Sequence, residues 1–141
     1  MIMDELPLHN QNLSSFDRLR HVVATLRGTG GCPWDIKQTP MSLKKYLLEE
    51  CTELIEAIDK GSEADVREEI GDIFFILTLL TSIFSEQQRF TIDDVLDDVA
   101  AKMVRRHPHV FGDAEISDEQ ELRAQWERIK HQEKHPSPPL P

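Results

Sequence analysis

Gly61-Ser62 is the feature that most limits how this chain can fold. A long segment with helical spacing lies on each side of it. A connection of one or two residues leaves two such helices no course but an antiparallel hairpin. The first segment opens with Thr39 as N-cap and Pro40 at the first helical position, where a missing N–H costs nothing, and it stops at Gly61. Ser62 caps the second and sets Glu63 and Asp65 in its first turn, where acids suit the helix dipole. That helix is expected to continue to about Ser85.

Three further helices are predicted around the hairpin. One runs from Ser15 to Leu26, capped by Ser14 or Ser15, with Gly28 past its end. Another is capped by Thr91 and ends in Arg105-Arg106 before His107-Pro108, since cations and a following proline both favour a stop. The last opens at Ser117, with Gln120 completing a capping box, and reaches about Lys134. Gly28 to Thr39 reads as a loop. The expectation is an all-α bundle of about five helices in one domain, residues 1–134. A tail over 135–141, with four prolines in seven residues, is expected to be disordered.

Composition narrows the partners. Aromatics make up 6% of the 141 residues and there are six glycines, which opposes a β-sandwich or barrel. A net charge of −10 opposes a protein that grips long nucleic acid through a basic face. It leaves nucleotide substrates open, because a metal ion screens phosphates from an acidic site. Cys32 and Cys51 form no CxxC pair and read as reduced thiols. Met1 to Asn12 lacks an apolar signal core, and no uninterrupted apolar stretch reaches the roughly 18 residues of a membrane span. A soluble cytoplasmic protein without a membrane partner is expected.

The hairpin carries acids where helices are otherwise apolar. At about 100° per residue, with Leu43 at zero, Leu47 falls at about +40° and Leu54 at about +20°. Glu50 falls among them, at about −20°. Glu53 lies at the edge of this arc beside Tyr46, while Glu49 and Glu56 point further out. On the second helix, with Val66 at zero, Ile70, Ile73, Leu77 and Leu80 lie within about 40°. Glu69 falls at about −60° and Asp72 at about −120°, flanked by Ile76, Leu79 and Ile83. A Glu-Glu dipeptide alone is ordinarily a solvated helix face. An i,i+3 acidic pair on the apolar side of each of two adjacent helices is a stronger signal. Carboxylates sharing a partly buried site repel, so either some hold protons or cations bind there. All-oxygen donors favour a hard ion, Mg²⁺ or Mn²⁺.

Three segments in order resemble the MazG family of nucleotide pyrophosphohydrolases. Glu49-Glu50-Cys51-Thr52-Glu53 with Glu69-Ile70-Gly71-Asp72 is similar to the family's EExxE…ExxD pattern. Gly31-Cys32-Pro33-Trp34-Asp35 with Gln38-Thr39 resembles its GCPWDxxQT loop, and Arg105 to Phe111 its RRHPHVF segment. Trp126 to Lys130 resembles its final helix. The resemblance spans roughly Phe16 to Glu133. It implies an α-helical fold assembled as a homodimer or a dimer of dimers. It also implies Mg²⁺-dependent hydrolysis of a (deoxy)nucleoside triphosphate to monophosphate and pyrophosphate, with Glu50, Glu53, Glu69 and Asp72 at the metal-ligand positions. Some relatives carry two such domains in tandem, and this chain holds one.

The remaining candidates follow from that chemistry. Glu49, Glu50 and Glu53 are the catalytic candidates, with Glu49 open between general base, ligand to a second ion and solvated surface. Lys102, Arg105 and Arg106, spaced i, i+3, i+4, share one helix face and are assigned to the phosphate tail; the bland reading is a solvated helix end. Trp34 suits either stacking on a base or plugging the core, and the family match favours ligand contact. Asp35, Lys37 and Gln38 are weaker candidates for base or sugar contact. His107 and His109 read as structural.

Rival classes make different demands. A di-iron carboxylate protein needs Glu-x-x-His on two helices, and neither hairpin helix contains a histidine. Related all-α pyrophosphohydrolases acting on dUTP, dCTP or phosphoribosyl-ATP are not separated by the acids alone; the GCPWD and RRHPHVF segments favour MazG proper. A non-enzymatic dimerisation module predicts no stabilisation by divalent metal. Both hairpin helices are apolar over more than half their circumference, which suggests a subunit interface.

Overall fold

The computed structural model describes residues 12–136, and among these every regular element is a helix. In chain order they are α1 (Ser15–Arg27), α2 (Pro33–Ile36), α3 (Pro40–Lys60), α4 (Glu63–Glu86), α5 (Ile92–Arg106), α6 (Pro108–Phe111) and α7 (Glu119–Lys134). The chain divides into two compact units, Met1–Ile92 and Asp93–Pro141. Residues 137–141 of the expected tail lie outside the described residues.

Most helix ends follow their caps. Ser14 accepts a hydrogen bond from the Asp17 N–H, and Thr39 and Ser42 form a reciprocal capping box ahead of α3. Gly61 closes α3 in the left-handed region, φ 70°, where an L side chain is strained. Ser62 then caps α4 by accepting from the Asp65 N–H.

Three expectations need correction. α2 and α6 are extra single-turn helices, each with proline at its first position. Proline presets φ there, but four residues are too few to show a helical period. The last helix is capped by Asp118, not Ser117. The Asp118 carboxylate accepts from the Glu121 N–H, and Glu121 reaches back to the Ser117 N–H. The third correction concerns the buried side of α4. Ile76, Leu79 and Ile83 are buried, whereas Ile70 and Leu77 are exposed. The inward face is thus centred at about −100° from Val66, and Glu69 and Asp72 flank that direction.

In the first unit, Val23 of α1, Leu43 of α3, and Leu79 and Ile83 of α4 form the core, with Leu19, Trp34, Tyr46, Phe75 and Leu80 packed against it. Leu79 has no exposed surface, and burial of a leucine side chain stabilises by about 1.5–3 kcal/mol. Thr78 and Thr81 are buried beside it because their hydroxyls donate to the Phe74 and Leu77 carbonyls. Arg27 ties the α2 segment to the end of α4. It donates to the Asp35 carbonyl at 2.6 Å and pairs with Glu86 through Nε at 2.8 Å and Nη2 at 2.9 Å.

In the second unit, Arg106 of α5 pairs with Glu133 of α7. The His107 ring meets Trp126 edge-on, and His109 hydrogen-bonds Gln125 at 3.0 Å.

Candidate active site

The α3–α4 hairpin brings acids together from both helices. Glu50, Glu69 and Asp72 each offer a carboxylate oxygen within 4.8 Å of the others. Glu50 lies on the side of α3 that carries the buried Leu43 and Ala57, and Glu69 and Asp72 lie on either side of the inward face of α4. Glu50 and Glu69 are half-buried, and Glu49 and Glu53 are exposed. Glu50 Oε2 and Glu69 Oε2 are buried and have no hydrogen-bond donor among the described residues.

This arrangement raises proton affinity. Burial first, and then hydrogen-bond and charge contacts with Glu50 and Glu53, push the Glu69 carboxyl up to about 7. Glu50 is also raised, first by burial and then by the charges of Glu53 and Asp72, while a proton shared with Glu69 acts the other way. Glu53 therefore belongs to the electrostatic cluster even though the closest group of oxygens comes from the other three acids. Two buried carboxylate oxygens without donors, with an Asp72 oxygen in the same 4.8 Å group, fit a hard cation: all are oxygen ligands, and ionised together they repel one another without one.

The residues of the glycine-rich segment have different surroundings. Trp34 is half-buried against the core, its ring edge-on to Tyr46 with centroids 5.2 Å apart. Asp35 and Gln38 are buried. Gln38 donates to the Trp34 carbonyl at 2.9 Å and accepts from Ser42 at 2.6 Å, so its amide helps fasten the segment to α3. Asp35 Oδ1 is buried without a donor, and its charge acts on Arg27. Lys37 is exposed.

In the second unit, Lys102 is half-buried, Arg105 exposed and Arg106 half-buried. Glu133 joins both arginines, and Trp126 lies against the Arg106 guanidinium at 5.1 Å. Sequence reasoning does not single out Glu133. An acid near the end of a charged helix is ordinary, and Arg106 lies 27 residues away. No helix of the described residues is long and apolar enough to cross a membrane.

The fold and the acid cluster define an all-helical protein with a carboxylate site on an antiparallel hairpin. Residues 38–111 match the model of the MazG nucleotide pyrophosphohydrolase domain, and the chain belongs to that family. It is 48% identical over 122 residues to the Bacillus subtilis uncharacterized protein YabN, covering 86% of this chain and 25% of that one. It is 46% identical over 119 residues to the nucleoside triphosphate pyrophosphohydrolase/pyrophosphatase MazG of Thermotoga maritima, covering 84% of this chain and 45% of the relative. The crystal structure of a MazG-related protein from Thermotoga maritima superposes with a TM-score of 0.67 at 28% identity, over 82% of this chain and 98% of that one. The chain spans from a quarter to about half the length of the curated relatives it matches.

Proposed function

We propose that this protein is a Mg²⁺-dependent hydrolase that converts (deoxy)nucleoside triphosphates to monophosphate and pyrophosphate, in the cytoplasm, as a nucleotide-pool housecleaning enzyme. One observation carries this reading: Glu50, Glu69 and Asp72 converge within 4.8 Å, with buried oxygens on both glutamates that no donor satisfies. The family membership supports the substrate class.

Glu50, Glu69 and Asp72, with Glu53 beside them, would hold Mg²⁺ or Mn²⁺. Such an ion supplies polarisation of a phosphoryl oxygen and charge neutralisation on the leaving pyrophosphate. The exposed Glu49 carboxylate is the proposed general base. It takes a proton from the water whose oxygen attacks the α-phosphorus, as the bond to the bridging oxygen breaks and pyrophosphate leaves. Lys102, Arg105 and Arg106 are the proposed contacts to phosphate. Trp34 and Lys37 are the proposed contacts to the base or sugar, and Asp35 and Gln38 support the segment that carries them.

A second copy of this chain is the proposed partner. On α3, Leu48, Ile55 and Ile58 are 70%, 59% and 59% exposed, and Phe74 on α4 is 47% exposed. Apolar side chains in a row at helical spacing favour burial against another surface.

The test is product analysis. The protein is incubated with a panel of NTPs and dNTPs, with Mg²⁺ or with EDTA, and the products are resolved by ion exchange. Monophosphate and pyrophosphate are expected only with metal, and are expected to vanish in Glu50→Gln and Asp72→Asn. Diphosphate and orthophosphate would place the cleavage elsewhere. No turnover of any nucleotide, with no rise in melting temperature on adding metal, would leave a non-enzymatic helical module.

A further inference from the structure

Trp34 stands on a helix too short to hold itself. α2 has four residues, and a first helical turn fixes several dihedrals for little hydrogen bonding in return. The direction of the turn, and of the ring it carries, is therefore set by attachments to its neighbours. Two of these lie near its ends. Before it, the Cys32 N–H donates to the Leu26 carbonyl at 2.8 Å, and a Cβ at Gly31 would overlap that carbonyl, so the chain meets the end of α1 backbone to backbone. After it, Gln38 fastens the Trp34 carbonyl to Ser42 of α3. Two attachment points leave a rigid turn free to roll about the line joining them, and a roll changes where the Trp34 ring faces.

Arg27 supplies the third attachment. Its Nη1 donates to the Asp35 carbonyl at 2.6 Å and reaches the Ile36 and Gln38 carbonyls at 3.5 Å. One nitrogen thus serves the C-terminal end of α2, where carbonyls lack partners within the helix. Glu86 takes the other side of the guanidinium through Nε and Nη2, and a planar group forked in this way has its remaining nitrogen aimed. The Arg27 side chain is 9% exposed and that of Glu86 48% exposed. Their hydrogen bond raises the Arg27 guanidinium and lowers the Glu86 carboxyl, so both stay charged through the neutral range. The Asp35 charge acts on the same guanidinium.

We propose that Arg27, aimed by Glu86, is a positioning residue that fixes the roll of α2 and so presents the Trp34 ring to a nucleobase; this rests on the reading of Trp34 as a contact to the base. Tyr46 packs against the ring at 74°, and a roll of the turn would lose that contact as well. A base that meets a ring already facing it loses less freedom on binding than one that must first order the turn. A purely structural Arg27 predicts lower stability with unchanged affinity. Positioning predicts weaker affinity that travels with the motion of the ring.

The chain has two tryptophans, so W126F leaves Trp34 as the one indole reporter. In that background, with and without E86A or R27K, the fluorescence anisotropy decay of Trp34 is measured. Quenching by uncharged ribonucleosides in EDTA then gives base affinity without phosphate or metal, and melting temperatures are recorded alongside. KM and kcat for nucleoside triphosphates are measured in chains that keep Trp126. E86A is expected to free the Trp34 ring and to weaken nucleoside binding about tenfold, the order that ordering a side chain and its turn costs. KM should rise by a similar factor, with kcat changed less than about twofold. R27K keeps the charge but loses the planar fork, and is expected to do the same. A lower melting temperature with unchanged nucleoside affinity overturns the proposal, since Arg27 then only fastens the fold. Weaker affinity with an unchanged anisotropy decay overturns it too, because the effect then bypasses Trp34. If R27K does not fold, the exposed site in E86A decides alone. If nucleosides quench Trp34 as expected but no triphosphate is hydrolysed, the hydrolase reading fails and the positioning role stands on the quenching series. If no nucleoside quenches Trp34 in the W126F protein, the positioning role is overturned whatever the turnover.

Discussion

Metal binding at the hairpin should release a proton, and the amount should depend on pH in a way the geometry sets. Glu69 is held at about 7 against an ordinary 4.5, chiefly by burial. A cation must displace that proton before the carboxylate can act as a ligand. With a midpoint of about 7, the group is about 0.9 protonated at pH 6 and about 0.1 protonated at pH 8. Competition weakens the apparent metal affinity by about elevenfold at pH 6 and hardly at all at pH 8, a ratio of about ten. Titration calorimetry with Mn²⁺ or Mg²⁺, in buffers of different ionisation enthalpy at each pH, reads both quantities. About 0.9 proton per ion is expected at pH 6 and about 0.1 at pH 8, counted over the Glu50–Glu69 pair because the two share protons. Glu69→Gln should reduce the release at pH 6, leaving only the part that comes from Glu50. The stability consequence has a definite sign. Glu69 binds its proton more tightly in the folded chain, so its contribution favours folding at low pH and is lost as pH rises from about 4.5 through about 7. The metal-free melting temperature should fall across that window, and added metal should restore most above it. Equal metal affinity at pH 6 and pH 8 without proton release would refute the account of these acids as a repelling, cation-ready cluster.

Three further outcomes are expected. Leu79→Ala, at a position with no exposed surface, should destabilise the first unit by about 3–5 kcal/mol in urea denaturation. Gly61→Ala should cost about 1 kcal/mol by the same measurement; a Cβ there meets nothing within 4 Å, so the cost is the left-handed φ of 70° alone. Leu48→Glu with Ile55→Glu should convert a dimer to monomer in light scattering, because both side chains lie on the exposed apolar face of α3. An unchanged molar mass would remove α3 from the subunit interface.

Much of this protein was legible locally. Thr39-Pro40, Gly61 and Ser62 mark their helix ends through hydrogen bonds and backbone angles that span only a few residues. The acids at positions 50, 53, 69 and 72 stand out because spacing along a helix determines which residues share a side. The hairpin follows from the shortness of the turn. Single-turn helices such as α2 and α6 escape this kind of reading, since one turn shows no period.

Tertiary structure decided the rest. α4 is apolar nearly all round, so spacing alone cannot say whether Ile70 and Leu77 or Ile76 and Leu79 face inward; packing against α1 and α3 selects the second pair. The same choice sets Glu69 and Asp72 on the flanks of the buried face, and burial there raises the Glu69 carboxyl. Arg105 and Arg106 read as equivalent cations along the chain. Only the placement of α7 beside α5 leaves Arg106 half-buried against Glu133 and Trp126 and Arg105 exposed, because those contacts come through space and not through local spacing.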